Sequence, residues 1–137
     1  MKRTPTYSTA FRLVLLSLLV FSIGCGRSDD PRAFQLSGQA TFDGEPIPWG
    51  SILLEPDSAQ GNTGPAGVAE ISQGRFRTRS GSGHVGGPHV VTIIATDGSR
   101  PESPDVDNSL FPPYQTKLDL PAENSEHDFE VPRLPVR

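Results

Sequence analysis

Short runs of alternating polar and apolar residues, each stopped by a turn signal, constrain this chain most. In residues 34–42, Phe34, Leu36, Gly38, Ala40 and Phe42 fall on one parity, and Gln35, Ser37, Gln39 and Thr41 on the other. Period two is the mark of a half-buried strand, and Asp43-Gly44 closes the run with a strong turn pair. Pro46 and Pro48 keep the next connection extended and outside a sheet interior. Residues 51–55 (SILLE) read as a short apolar strand stopped by Pro56. Residues 67–72 alternate through Val68 and Ile71 only imperfectly. After a Gln73-Gly74 turn, residues 75–79 (RFRTR) alternate cleanly, with Phe76 and Thr78 on one face and Arg75, Arg77 and Arg79 on the other. This pair reads as a hairpin.

Residues 89–96 (HVVTIIAT) are rich in β-branched side chains and read as a buried strand. Residues 114–120 (YQTKLDL) and 127–131 (HDFEV) complete a set of seven. Residues 57–66, 80–88 and 99–113 read as loops, and residues 132–137 as a surface tail. Fourteen glycines and fourteen prolines argue against a helical bundle, and no long 3.6-residue apolar period occurs beyond the first 24 residues. The fold class is therefore all-β, with residues 34–131 expected to form a single antiparallel β-sandwich of about seven strands.

The N-terminus has a separate logic. Lys2, Arg3 and Arg12 precede an almost wholly apolar run at residues 13–23, then Gly24, Cys25 and an abruptly polar stretch. A basic start, a short apolar run and a small boundary residue form a secretory signal peptide, here residues 1–24. The apolar run is shorter than the roughly 20 residues needed to span a bilayer. Residues 25–33, polar and broken by Pro31, read as a tether.

Cys25 is the chain's one cysteine, so neither an intramolecular disulfide nor a multi-cysteine zinc site is available. Ser22-Ile23-Gly24-Cys25 resembles the bacterial lipobox, matching at Gly24 and Cys25, with Ser22 where Leu is usual. The resemblance implies cleavage between Gly24 and Cys25 and lipidation of the Cys25 thiol. Two or three acyl chains anchor stably where one binds marginally, at about 0.8 kcal/mol per buried CH2. The plain alternative is an ordinary signal peptide with a chance cysteine. By the same resemblance, Gly26 rather than Asp after the cysteine permits onward export. The expected location is a bacterial membrane, at its periplasmic face or in the outer membrane.

Losing the three basic residues of the leader takes the formal net charge from −4 to −7. A net acidic product lacks the basic footprint of a nucleic-acid binder. Catalytic motifs are equally hard to find. Residues 80–83 (SGSG) open no helix and lack both the G-x-S-x-G elbow and the G-K-[ST] of a phosphate loop. His84, His89 and His127 lack metal-ligand spacing, so a loop histidine and a strand-edge histidine are expected at 84 and 89. Asp105, Asp107 and Asn108 match only part of a calcium loop. No cofactor, metal or catalytic residue is expected. Two features invite a binding role. Arg75, Arg77 and Arg79 make a basic stripe suited to anionic headgroups or an acidic glycan; the bland reading is a solvated face paired with acids on a neighbouring strand. Trp49, the sole tryptophan, reads as a partly buried anchor or, more sharply, a sugar-stacking platform.

Residues 36–56 (LSGQATFDGEPIPWGSILLEP) resemble the opening of carboxypeptidase regulatory-like domains, which are transthyretin-like β-sandwiches. Leu36, Gly38, Ala40, Asp43, Gly44, Pro46, Ile47, Leu54 and Pro56 fill the pattern. Residues 73–76 (QGRF) and 87–93 (GPHVVTI) resemble its later strands, with His89 where an aromatic is usual. Residues 110–114 and 127–131 are similar to the tail of small lipoproteins of planctomycete bacteria, which pair a lipobox with one such domain. The resemblance implies a structural or adhesive module of the envelope, not an enzyme. The C-terminal Y-R-G-S signature of the transthyretin-like hydrolase is absent.

Overall fold

The computed structural model describes residues 33–99 and 107–133. The expectations for the signal peptide, for Gly24 and Cys25, for most of the tether and for Asp105 lie outside these residues. Nine strands form in chain order: β1 (Leu36–Phe42), β2 (Glu45–Pro46), β3 (Trp49–Pro56), β4 (Gly67–Ser72), β5 (Arg75–Thr78), β6 (Gly87–Thr96), β7 (Tyr114–Leu120), β8 (Ser125–Glu126) and β9 (Phe129–Val131). The described residues are all-β, with one short 3-10 turn among them at Ser58–Gln60.

The turn signals act as their chemistry requires. Asp43 and Gly44 both adopt positive φ (55° and 82°), as do Gln73 and Gly74 (52° and 71°). Two consecutive left-handed residues give the turn twist that suits a two-residue hairpin. The first reverses β1 into β2, and the second joins β4 to β5. Pro46 sits in the two-residue β2, where a missing N–H costs little.

The strands form one curled sheet in the order β2-β1-β5-β4-β3-β6-β7, with β8 and β9 along the other side of β1. β3 is an interior strand that pairs antiparallel with β6 over its full length and with β4 from Trp49 to Leu54. It is longer than the sequence suggests because Trp49 and Gly50 continue both ladders. β6 likewise starts at Gly87, two residues early, paired with Leu120 of β7.

One expectation is corrected here. Residues 127–131 do not form a single antiparallel strand. β8 and β9 flank a break at His127-Asp128, and both run parallel to β1. The reason lies at Gly38. A Cβ there would fall 2.0 Å from the His127 carbonyl oxygen, so the returning chain passes where β1 lacks a side chain. The Asp128 carboxylate then accepts the Gln39 N–H at 2.7 Å, standing in for a ladder bond.

The inner face follows the sequence parity. Leu36, Ala40, Ile52, Leu54, Ile71, Val91, Ile93 and Ala95 have no exposed surface and belong to a single core. Each large aliphatic buried this way contributes about 1.5–3 kcal/mol. Thr78 is also buried, and its hydroxyl accepts the Leu36 N–H at 2.9 Å where β1 leaves β5.

Candidate interaction face

Directly opposed residues on neighbouring strands share a face. Arg77 is opposed by Ser37 on β1 and Glu70 on β4, Glu70 by Ser51 on β3, and Ser51 by Ile94 on β6. Glu126 of β8 lies beyond Ser37. The adjacent row reads Gln39, Arg75, Ser72, Trp49 and Thr96. Val68, two residues before Glu70 on β4, shares this outward parity and is opposed by Leu53. The three most exposed large hydrophobics among the described residues, Trp49, Val68 and Ile94, thus lie on the same outer face as Arg75 and Arg77. Arg79 follows β5 and is exposed.

Strand spacing of about 4.8 Å puts the backbones of Trp49 and Arg75, two strands apart, about 10 Å from one another. Trp49 is 50% exposed, so its indole is a surface platform more than a core anchor. The arginines are solvated, but the expected pairing with neighbouring acids is not formed. The ion pairs among the described residues are Lys117–Asp57 and Arg133–Asp43. Glu70, although directly opposite Arg77, makes no ion pair among the described residues.

At the β1 side this face sinks into a groove of about 260 Å³, walled by Ser37, Gln39, Arg75, Arg77 and Glu126 over Gly38 and Phe76. It continues over Gln35, Asn124 and Ser125. The Gln35 N–H donates to Asn124 Oδ1 at 2.8 Å and fixes that side chain. A second hollow, of about 180 Å³, is mostly apolar and is lined by Phe42, Leu110, Phe111, Tyr114, Val131 and Arg133, among others.

His84 lies in the β5–β6 connection, as expected of a loop histidine, and His89 lies within β6 instead of at its edge; both are fully buried, with ring centroids 5.9 Å apart. His84 is enclosed because residue 84 bridges Phe34 through two backbone hydrogen bonds. His89 occupies an inward position of β6, opposite Leu118. The Gly86 N–H donates to His84 Nδ1 at 3.2 Å, so the imidazole proton sits on Nε2 and points at Ser125 Oγ, 3.5 Å away. With that tautomer His84 offers Ser125 a donor and cannot serve as its general base. Burial first, and then the neighbouring His89, push the His84 pKa below its ordinary value. His89 Nδ1–H donates to the Gly87 carbonyl at 2.8 Å, and its buried Nε2 has no partner among the described residues.

Asp57 had no marker in the sequence beyond a loop position. It caps the 3-10 turn, accepting from Ala59 N–H, Gln60 Nε2 and Lys117 Nζ. The Gln60 and Lys117 hydrogen bonds hold its carboxyl below the usual range. Asp107 and Asn108 are also structural, bonding to Ser109 N–H and the Ser99 carbonyl. Among the described residues no group of three His, Cys, Asp or Glu side chains could hold a metal ion. His127 packs against Phe129, with ring centroids 4.8 Å apart.

Sequence alone marked Trp49 and the arginines, and the fold brings them to one face. The groove residues Gln35, Ser37, Gln39 and Glu126 were missed. The outward parity of residues 35, 37 and 39 was legible, but which strands flank β1 was not. Neither a family model nor a curated protein matches the chain.

Proposed function

We propose that the chain is a lipid-anchored, non-catalytic module of the bacterial cell envelope, exported and attached through Cys25, whose working surface is the outer sheet face carrying Trp49, Arg75 and Arg77. On this reading the curled sheet is a transthyretin-like β-sandwich of the carboxypeptidase regulatory-like type. Its partners are the membrane, through the anchor, and an envelope glycan or protein, through the face.

One observation carries the proposal: exposed Trp49, Val68 and Ile94 share one sheet face with Arg75 and Arg77, which make no ion pair among the described residues. Apolar side chains exposed together among charges mark interaction surfaces, whereas isolated ones do not. The non-catalytic reading is supported by Ser125 and His84, whose tautomer is wrong for a nucleophile and its base. The tether is short. Eight residues between Cys25 and Phe34 extend at most about 29 Å, which keeps the face close to the membrane.

Intact-mass measurement and membrane fractionation of wild type and Cys25→Ser test the anchor. Wild type should carry a diacylglycerol-sized mass increment and sediment with membranes, and Cys25→Ser should lose both. Wild type that is soluble and free of acyl mass would sink the anchored reading.

A further inference from the structure

The groove beside the arginines has a composition that narrows its ligand. Two cationic side chains, Arg75 and Arg77, stand on one wall, one carboxylate, Glu126, stands on another, and Ser37 and Gln39 lie between them. Arg75 and Arg77 make no ion pair among the described residues, so their guanidinium donors are available to a ligand. Such donors suit a carboxylate, which they can bind with two parallel hydrogen bonds. Glu126 is acceptor-only when ionised and suits hydroxyl donors. Ser37 and Gln39 can donate or accept, as polyol recognition requires. Along the Arg75 row, past Ser72, Trp49 offers an exposed aromatic face about 10 Å away, two strand spacings across.

From this arrangement we infer that the groove binds an acidic polysaccharide. A uronate-type sugar carboxylate would sit on Arg75 and Arg77, its hydroxyls on Glu126, Ser37 and Gln39, and a following sugar ring on Trp49. The inference rests on the interaction face proposed above and assigns its ligand class. A lipid headgroup fits less well, because a single headgroup on the arginines does not also reach the exposed Trp49, about 10 Å away. A protein partner fits less well because hot spots form in desolvated, well-packed pockets, and this groove is open and lined mainly by charged and polar side chains.

Calorimetric titration of the full-length protein in detergent, with four probes, tests the inference. Tetragalacturonate should bind, and the affinity should fall as salt is raised. Arg77→Gln should lose at least about tenfold, since hydrogen bonds to charged groups are the stronger kind. Trp49→Ala should also weaken binding. Neutral cellotetraose, glycerophosphoglycerol and hexaglutamate should not compete. Equal binding of cellotetraose, or an Arg77→Gln protein that binds tetragalacturonate like wild type, would overturn the ligand class. Arg77-dependent binding of glycerophosphoglycerol or hexaglutamate in place of the uronate would overturn it too, while leaving the interaction face standing. Failure of all four probes would overturn the inference, and the acyl mass on Cys25 would still report separately on the anchor.

Discussion

At the scale of single residues, His84 and Gly38 do the most to couple sequence to behaviour. His84 is buried and neutral, with its pKa held below the ordinary 6.5. The unfolded chain therefore binds a proton near pH 6.5 that the folded chain refuses. The stability tied to His84 is complete above that pH and declines as pH falls through it. Thermal melts between pH 8 and pH 5 should show a falling midpoint, and His84→Gln should flatten the slope. An unchanged slope in that variant would remove His84 as the cause. Asp57 acts in a lower window. Its pKa lies below the ordinary 3.8, so its contribution is lost only under more acid conditions. Gly38→Ala should cost about 1–3 kcal/mol, because the new methyl meets the backbone carbonyl of His127. Gly44→Ala should cost about 1 kcal/mol, from its positive φ alone, since nothing lies within 4 Å of a Cβ there. Denaturant melts of the two variants separate a steric clash from a conformational penalty.

At the scale of elements, alternation in β1 and β5 foretold which side chains go in. Leu36, Ala40, Phe76 and Thr78 are buried, and Gln39, Arg75 and Arg77 are exposed. The imperfect reading of β4 has a local cause. Gly67, Ala69 and Ile71 face the core and Val68 faces solvent, so an apolar residue on the wet side blurred the pattern. Pairing was not legible. Period two states which face a residue takes and is silent on which strand lies beside it. That is why the parallel β8 and β9, and with them Glu126 in the groove, escaped the sequence. The two faces should respond differently to substitution. Ile52→Ala, between Ala69 and Ile93 in the core, should cost about 2–5 kcal/mol. Arg77→Gln on the outer face should stay within about 0.5 kcal/mol of wild type. Equal losses from both in urea melts would contradict the inward and outward assignment.

At the scale of the whole molecule, fold class was legible because glycine, proline and turn pairs punctuate the chain at strand-length intervals. The face was legible only in fragments. Trp49 and Arg75 are 26 positions apart in sequence, and the β4–β5 hairpin brings them within two strands. The buried histidine pair had no sequence signal, because His84 lies in a glycine-rich segment that reads as loop. What unites the account is the claim that the outer face meets a partner in the envelope. In-cell photocrosslinking addresses it most directly, with a photoreactive residue at Ser72, between Arg75 and Trp49, and a control at Ala59 on the exposed 3-10 turn. The account predicts high-molecular-weight adducts from position 72 and none from position 59. Equal yields at the two positions, or adducts from position 59 alone, would contradict it.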